Sequence, residues 1–315
     1  MRRLFYVIFL LFPNLLSAAS DLTAAVENVR AACGSISGDL ERMKTMAGIN
    51  TAVTSVGTVA GGVALGTGVA KASVDKEILE QKRQIDEILQ SSGMIKLSSE
   101  DELLNVLGQM FEQTGTEFGR DVAMSVNARR DEIARLDAKS KTLGNVRTGT
   151  MATAAVTNIA GAVSAGTNRV QGDLKTRIDN CLITVKQLAN VWGGARLAKS
   201  ATDVELQQAE KIMRACNVWE TVDVDAINKK SKGAAISSGV GAGLGLAGTI
   251  TSASANSDRV RAGDVKKEQD LNTASNILAG GTTVASGAAV VFNATQIATI
   301  KRAAAIADEC EGALK

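Results

Sequence analysis

Histidine is missing from the whole chain, and its only proline and only tyrosine, Pro13 and Tyr6, both lie in the N-terminal stretch. The absence of imidazole excludes Ser-His-Asp and Cys-His nucleophile pairs, histidine general acid–base chemistry and histidine-ligated metals. The absence of proline after Pro13 leaves helices free to run without interruption. Aromatic residues are also scarce. Beyond the N-terminal stretch only Phe111, Phe118, Trp192, Trp219 and Phe292 remain, so a core has to be built from Ala, Val, Ile, Leu and Gly, with backbones in close approach. Neither sign of charge prevails. Once Arg2 and Arg3 are set aside, the 33 acidic residues are matched by an equal number of Lys and Arg, which gives no electrostatic footprint for nucleic acid.

The stretch "MRRLFYVIFLLFPNLLSAAS" has a basic start, an apolar run and a Ser17-Ala18-Ala19 small-residue site. It reads as a secretory signal peptide over residues 1–19. Export would place the four cysteines, Cys33, Cys181, Cys216 and Cys310, in a disulfide-permissive compartment, and their wide spacing fits two structural bridges rather than a CxxC metal or redox motif. Two pairings stay open. Cys33–Cys181 with Cys216–Cys310 follows from antiparallel hairpins and comes first. Cys181–Cys216 with Cys33–Cys310 is the rival.

Four stretches carry little or no charge and are dominated by Gly, Ala, Ser, Thr and Val: residues 48–70, 149–167, 233–255 and 271–300. Two-residue alternation is lacking, and turn signals are absent for about 20 residues at a time, which argues for helices rather than strands. Small residues recur four apart, at Gly57/Gly61, Gly62/Gly66, Gly239/Gly243, Gly241/Gly245 and Gly281/Ala285. This spacing resembles the packing device loosely known as a glycine zipper, in which small side chains let two helices close on each other. Each glycine costs a helix about 1 kcal/mol relative to alanine, so close packing or membrane insertion has to offset it. The expected fold is therefore all-α: a disulfide-stapled bundle of long Gly/Ala-rich hairpins.

The order Cys-helix, small-residue segment, connector, small-residue segment, Cys-helix occurs twice, predicting two related halves at 20–198 and 199–315. The first carries inserted charged helices over about 72–142, among them "SVDKEILEQKRQIDEILQ" with Ile78, Ile85 and Leu89 on one face and a Ser99-x-x-Glu102 capping box.

Motifs that carry chemistry are few. Gly243-x-Gly245-x-x-Gly248 has dinucleotide-turn spacing, but no clear strand precedes it. Ser73-x-x-Lys76 has acyl-enzyme spacing without its companion motifs. Asp131, Glu132 and Asp137 fall among arginines on charged helix patterns, as solvated faces do. No catalytic, cofactor or metal residues are assigned, and no cofactor or small-molecule substrate is expected. The expectation is an exported, non-enzymatic envelope protein acting through helix packing at Gly57, Gly61, Gly62, Gly66, Gly239, Gly241, Gly243, Gly245 and Gly281, its partner being a second copy or membrane lipid. A membrane-inserting, pore-forming or toxin-like protein is the alternative, and a carboxylate-dependent enzyme is a minor one.

Overall fold

The computed structural model describes residues 21–91, 117–170, 172–257, 260 and 265–315. The signal-peptide segment, the Ser99-x-x-Glu102 capping box and Phe111 lie outside the described residues. Among these, every regular element is helical and there is no strand. Helix α1 covers 21–33. It is followed by α2 (Ile36–Ser91), α3 (Glu117–Thr167), α4 (Gly172–Ala198) and α5 (Asp203–Asn217), a 3-10 turn (Val218–Thr221), α6 (Val224–Ala255) and α7 (Val265–Leu314). The four small-residue stretches lie inside α2, α3, α6 and α7. With no proline to break them, these helices reach 56, 51, 32 and 50 residues.

The buried positions set the helices' period. Along α6 they run Ile227, Ser231, Ala234, Ser238, Gly241, Gly245, Gly248, Ser252 and Ala255, with Ala242 buried beside Gly241, and along α7 as far as Ile300 they run Asn272, Ser275, Ala279, Thr282, Ser286, Ala289, Asn293, Gln296 and Ile300. Steps of four and three alternate, which is the 3.5-residue period of a coiled-coil seam. The same alternation runs through α2 from Ile36 to Lys71 and from Ser140 of α3 to Asn168 just past its end.

This period sorts the glycines. Gly57, Gly61, Gly241 and Gly245 are buried in the seam, and Gly281 flanks it. A strict four-residue repeat drifts about 40° per step around a 3.6-residue helix, so its members cannot all stay on one face. Gly62, Gly66, Gly239 and Gly243 are exposed, with open space where a Cβ would stand. Among the described residues these four make no close helix contact. The tight approaches fall at Gly61 against Thr283, Gly245 against Ala155 and Gly281 against Leu244, and also at Gly68, Gly144, Gly161, Gly233 and Gly248.

Two glycines make a matched test. A Cβ on Gly245 would lie 3.0 Å from the Cα of Ala155 and 3.1 Å from its nitrogen, both backbone atoms that cannot swing aside. Gly245→Ala should therefore lose about 1 kcal/mol or more, strain outweighing the propensity gain. Gly239→Ala, in open space, should gain up to about 1 kcal/mol. Opposite shifts in the denaturation midpoint check the pair.

The chain divides into two compact units, each drawing on both expected halves. The first takes residues up to Ser55, Asn158–Gly239 and Ser286–Lys315; the second takes Val56–Thr157 and Val240–Ala285. Unit 1 holds the main apolar core, which joins Leu22, Val29, Leu40, Ile178, Leu188, Ile212, Trp219, Ile227, Ile300 and Leu314. Within that core Cys33 is bonded to Cys181 and Cys216 to Cys310, the first of the two pairings left open by the sequence. Arg30 donates from Nε and Nη2 to the Leu314 carbonyl, and Glu311 accepts from the backbone N–H of Ser35 and Ser37, tying the C-terminus to the start of α2. Unit 2 has smaller apolar clusters: Ile85 and Leu89 against Val122 and Val126, and Ala64, Met151 and Ala279.

Candidate functional site

The small-residue stretches invert the ordinary distribution of side chains. Their seam is built from small and polar residues, with Ala64, Ala154, Ala234, Ala279 and Ala289 buried along it beside the polar ones. In unit 1, Asn50, Thr54, Asn158, Ser231, Ser238, Ser286, Asn293 and Gln296 are all buried. Asn50 Nδ2 donates to Asn293 Oδ1 at 2.9 Å, Asn158 Nδ2 to Ser286 Oγ at 2.8 Å, and Gln296 Nε2 to the Asn168 carbonyl at 3.0 Å. Their outer faces are apolar. Val56, Val59, Val63 and Val69 of α2, Val156, Ile159 and Val163 of α3, Ile236, Val240, Leu246 and Ile250 of α6, and Ile277, Val284 and Val291 of α7 are all exposed. Exposure of Val59, Val156, Ile250 and Val284 reaches 66%, 65%, 68% and 74%. In water the reverse arrangement is the stable one, since exposing such a side chain forgoes roughly 1.5–3 kcal/mol of burial.

The outer-facing hydroxyls are also masked. Thr150 donates to the Val146 carbonyl, Thr153 to Gly149, Thr251 to Ala247 and Thr295 to Val291, each one turn back. This back-bonding satisfies the hydroxyl donor without solvent.

A charged cluster lies in unit 2. Lys71, with a side chain 2% exposed, donates to Asp75 Oδ2 at 2.7 Å and to Glu268 Oε1 at 2.8 Å. Asp75 Oδ1 accepts from Ser140 Oγ at 2.6 Å. Arg147, fully buried, donates to Asn272 Oδ1 at 3.3 Å and to the Asn272 carbonyl at 2.9 Å. Burial pulls the Arg147 guanidinium down to about 10, against the opposing attraction of Asp75. The composition pattern does not reveal this cluster, because Lys71 and Arg147 read as the polar ends of charge-free stretches.

The enzyme-like motifs do not assemble. Gly243, Gly245 and Gly248 sit inside the continuous helix α6, where backbone N–H groups already serve the helix and cannot cradle phosphate. Ser73 and Lys76 stand exposed on α2. Asp131 and Asp137 are exposed on α3, and Glu132 pairs with Arg135. The sulfurs of Cys33, Cys181 and Cys310 lie within 4.8 Å of one another, but all belong to disulfides. No family model matches the chain, and neither curated proteins nor solved structures show a significant likeness to it.

Proposed function

We propose that this is an exported, non-enzymatic envelope protein that engages a lipid bilayer by inserting its four small-residue segments, helix packing along the polar seam being what holds them together. The observation that carries the reading is the inverted burial: Val, Ile and Leu side chains outside and mainly Ala, Gly, Asn, Ser and Thr inside, over segments free of charge. The charge-free runs 45–70, 148–168, 233–257 and 271–300 each exceed the roughly 20 residues needed to cross the hydrocarbon core. Small residues facing neighbouring helices, with hydroxyls and carboxamides bonding between them, are the usual means of association in lipid.

Three helices, those containing residues of α2, α6 and α7, are long and apolar enough to cross a membrane by length and composition. The α3 segment falls outside that set, yet the disulfides favour its crossing too. If α2 crossed and α3 did not, Cys33 and Cys181 would stand on opposite sides, and they are bonded. Four crossings return all four cysteines to one side, the oxidising side, as expected of an exported chain. Each of the two related halves expected from the sequence is then one two-span hairpin beside its own disulfide. The reading calls for lipid as partner and for no cofactor, nucleic acid or small-molecule substrate.

Fractionation tests this directly. The full chain, expressed with its leader, should stay with the membrane pellet through alkaline carbonate and enter solution only with detergent. Recovery as a folded, soluble species without detergent would overturn the proposal.

A further inference from the structure

The two disulfides of unit 1 are close neighbours. Cys310 Sγ lies within 4.8 Å of both Cys33 Sγ and Cys181 Sγ, a span too short for another atom to stand between them. Cys216 is not part of that group, so the second bridge turns its Cys310 end toward the first. We propose that the two bridges form an exchange relay, in which reduction of Cys216–Cys310 frees Cys310 to break the Cys33–Cys181 bond and take one of its partners.

Exchange needs a thiolate beside a disulfide sulfur, with access for the thiol that starts it. Access lies at the second bridge. An open cleft of about 610 Å³ runs beside it, its walls including Ala215 and Glu309, which directly precede Cys216 and Cys310, and Gly312 and Ala313 just beyond. Cys310 is also four residues from the end of α7, where a helix opens at least cost. A thiolate of an external dithiol attacks Cys216 Sγ and displaces Cys310 as a thiolate. The second sulfur of the dithiol then displaces Cys216, and the reagent leaves as its own disulfide, having given up two electrons and two protons. The next step is redox-neutral. Cys310 Sγ attacks one sulfur of the first bridge, a new S–S bond forms as the Cys33–Cys181 bond breaks, and the displaced sulfur keeps the electron pair and takes a proton. Attack on Cys33 gives Cys33–Cys310 and thiols at Cys181 and Cys216, the two residues that the alternative pairing joins. Attack on Cys181 gives Cys181–Cys310 and thiols at Cys33 and Cys216. A reducing equivalent that enters at the cleft thus emerges on α1 or α4. The inference does not rest on the membrane reading, since it concerns only the spacing of sulfurs inside unit 1.

The test uses the folded, full-length protein with both bridges closed and dithiothreitol as the reductant. After one equivalent the sample is quenched in acid, alkylated and digested with trypsin, which leaves each cysteine in its own peptide: 31–42, 178–186, 215–229 and 303–315. Mass spectrometry should find the Cys310 peptide linked to that of Cys33 or Cys181 in at least about a tenth of the chains, with Cys216 alkylated. Alkylation of Cys216 and Cys310 alone, with Cys33–Cys181 intact, would overturn the proposal. Cys216→Ser covers the case in which reductant does not enter, because it leaves Cys310 free from the start. It should show the same links at mildly alkaline pH and retain the helical circular dichroism. Cys310→Ser leaves only the more distant Cys216 as a thiol and should keep Cys33–Cys181 whole. A Cys310 that stays entirely free in folded Cys216→Ser would count against the relay, as would equal scrambling in Cys310→Ser, where proximity could not be the cause. Membrane fractionation of the same chains reads the membrane proposal separately.

Discussion

Val284→Lys should reduce retention of the chain in the membrane by about a hundredfold. Val284 is 74% exposed and lies at the middle of the charge-free run 271–300 of α7. If that run sits in lipid, a lysine at its centre costs about 2.5–3.5 kcal/mol of insertion free energy, which is roughly two powers of ten in the inserted fraction. If the same face met water, the substitution would fall among exposed surface changes, typically within about 0.5 kcal/mol, and would improve solubility. The two environments therefore differ in carbonate-resistant protein: a loss of about a hundredfold if the face meets lipid, and little change if it meets water. Leu197→Lys is the control: Leu197 is 87% exposed at the end of α4, outside all four runs, and should change nothing. Quantifying carbonate-resistant protein for the three chains decides the matter, and equal retention in all of them would contradict lipid exposure of Val284.

The helical character of these segments was legible because it depends on coarse features: runs without charge, without proline and without two-residue alternation. The cysteine pairing was narrowed by a topological constraint, since antiparallel hairpins bring Cys33 toward Cys181 and Cys216 toward Cys310. The buried face was harder to read. In an ordinary amphipathic helix apolar residues mark the core, but here Val59, Val156 and Val284 point outward while Asn50, Asn158 and Asn293 point inward. A reader seeking an apolar stripe finds the wrong face, and a reader counting Ser, Thr and Asn concludes only that hydrophobicity is diluted. Glycine spacing misled for a related reason. Gly239 and Gly243 satisfy a four-residue repeat, but the seam alternates four with three, and only their neighbours Gly241 and Gly245 keep its phase.

Lys71→Met should destabilise the chain by about 3–5 kcal/mol, the range for removing one partner from a buried ion pair. Lys71 is the residue between two carboxylates: its ammonium bonds Asp75 and Glu268, whose side chains are 20% and 16% exposed. Without it their negative charges face each other at a mostly buried site, and Arg147, which Asp75 also attracts, is engaged with Asn272. Arg147 keeps its charge at neutral pH even though burial holds its guanidinium down to about 10. Neutralising the remainder separates charge from packing. Lys71→Met with Asp75→Asn and Glu268→Gln should recover most of the loss, because an all-neutral set needs no counter-charge and replacing a whole buried network is often close to neutral in stability. Chemical denaturation followed by circular dichroism supplies the measurement. A full loss that persists in the triple variant would mean that the lysine's aliphatic stem, not its charge, holds α2 and α7 together at this level of unit 2. Recovery would identify Lys71 as the internal counter-ion that allows two carboxylates to stand at the end of the seam.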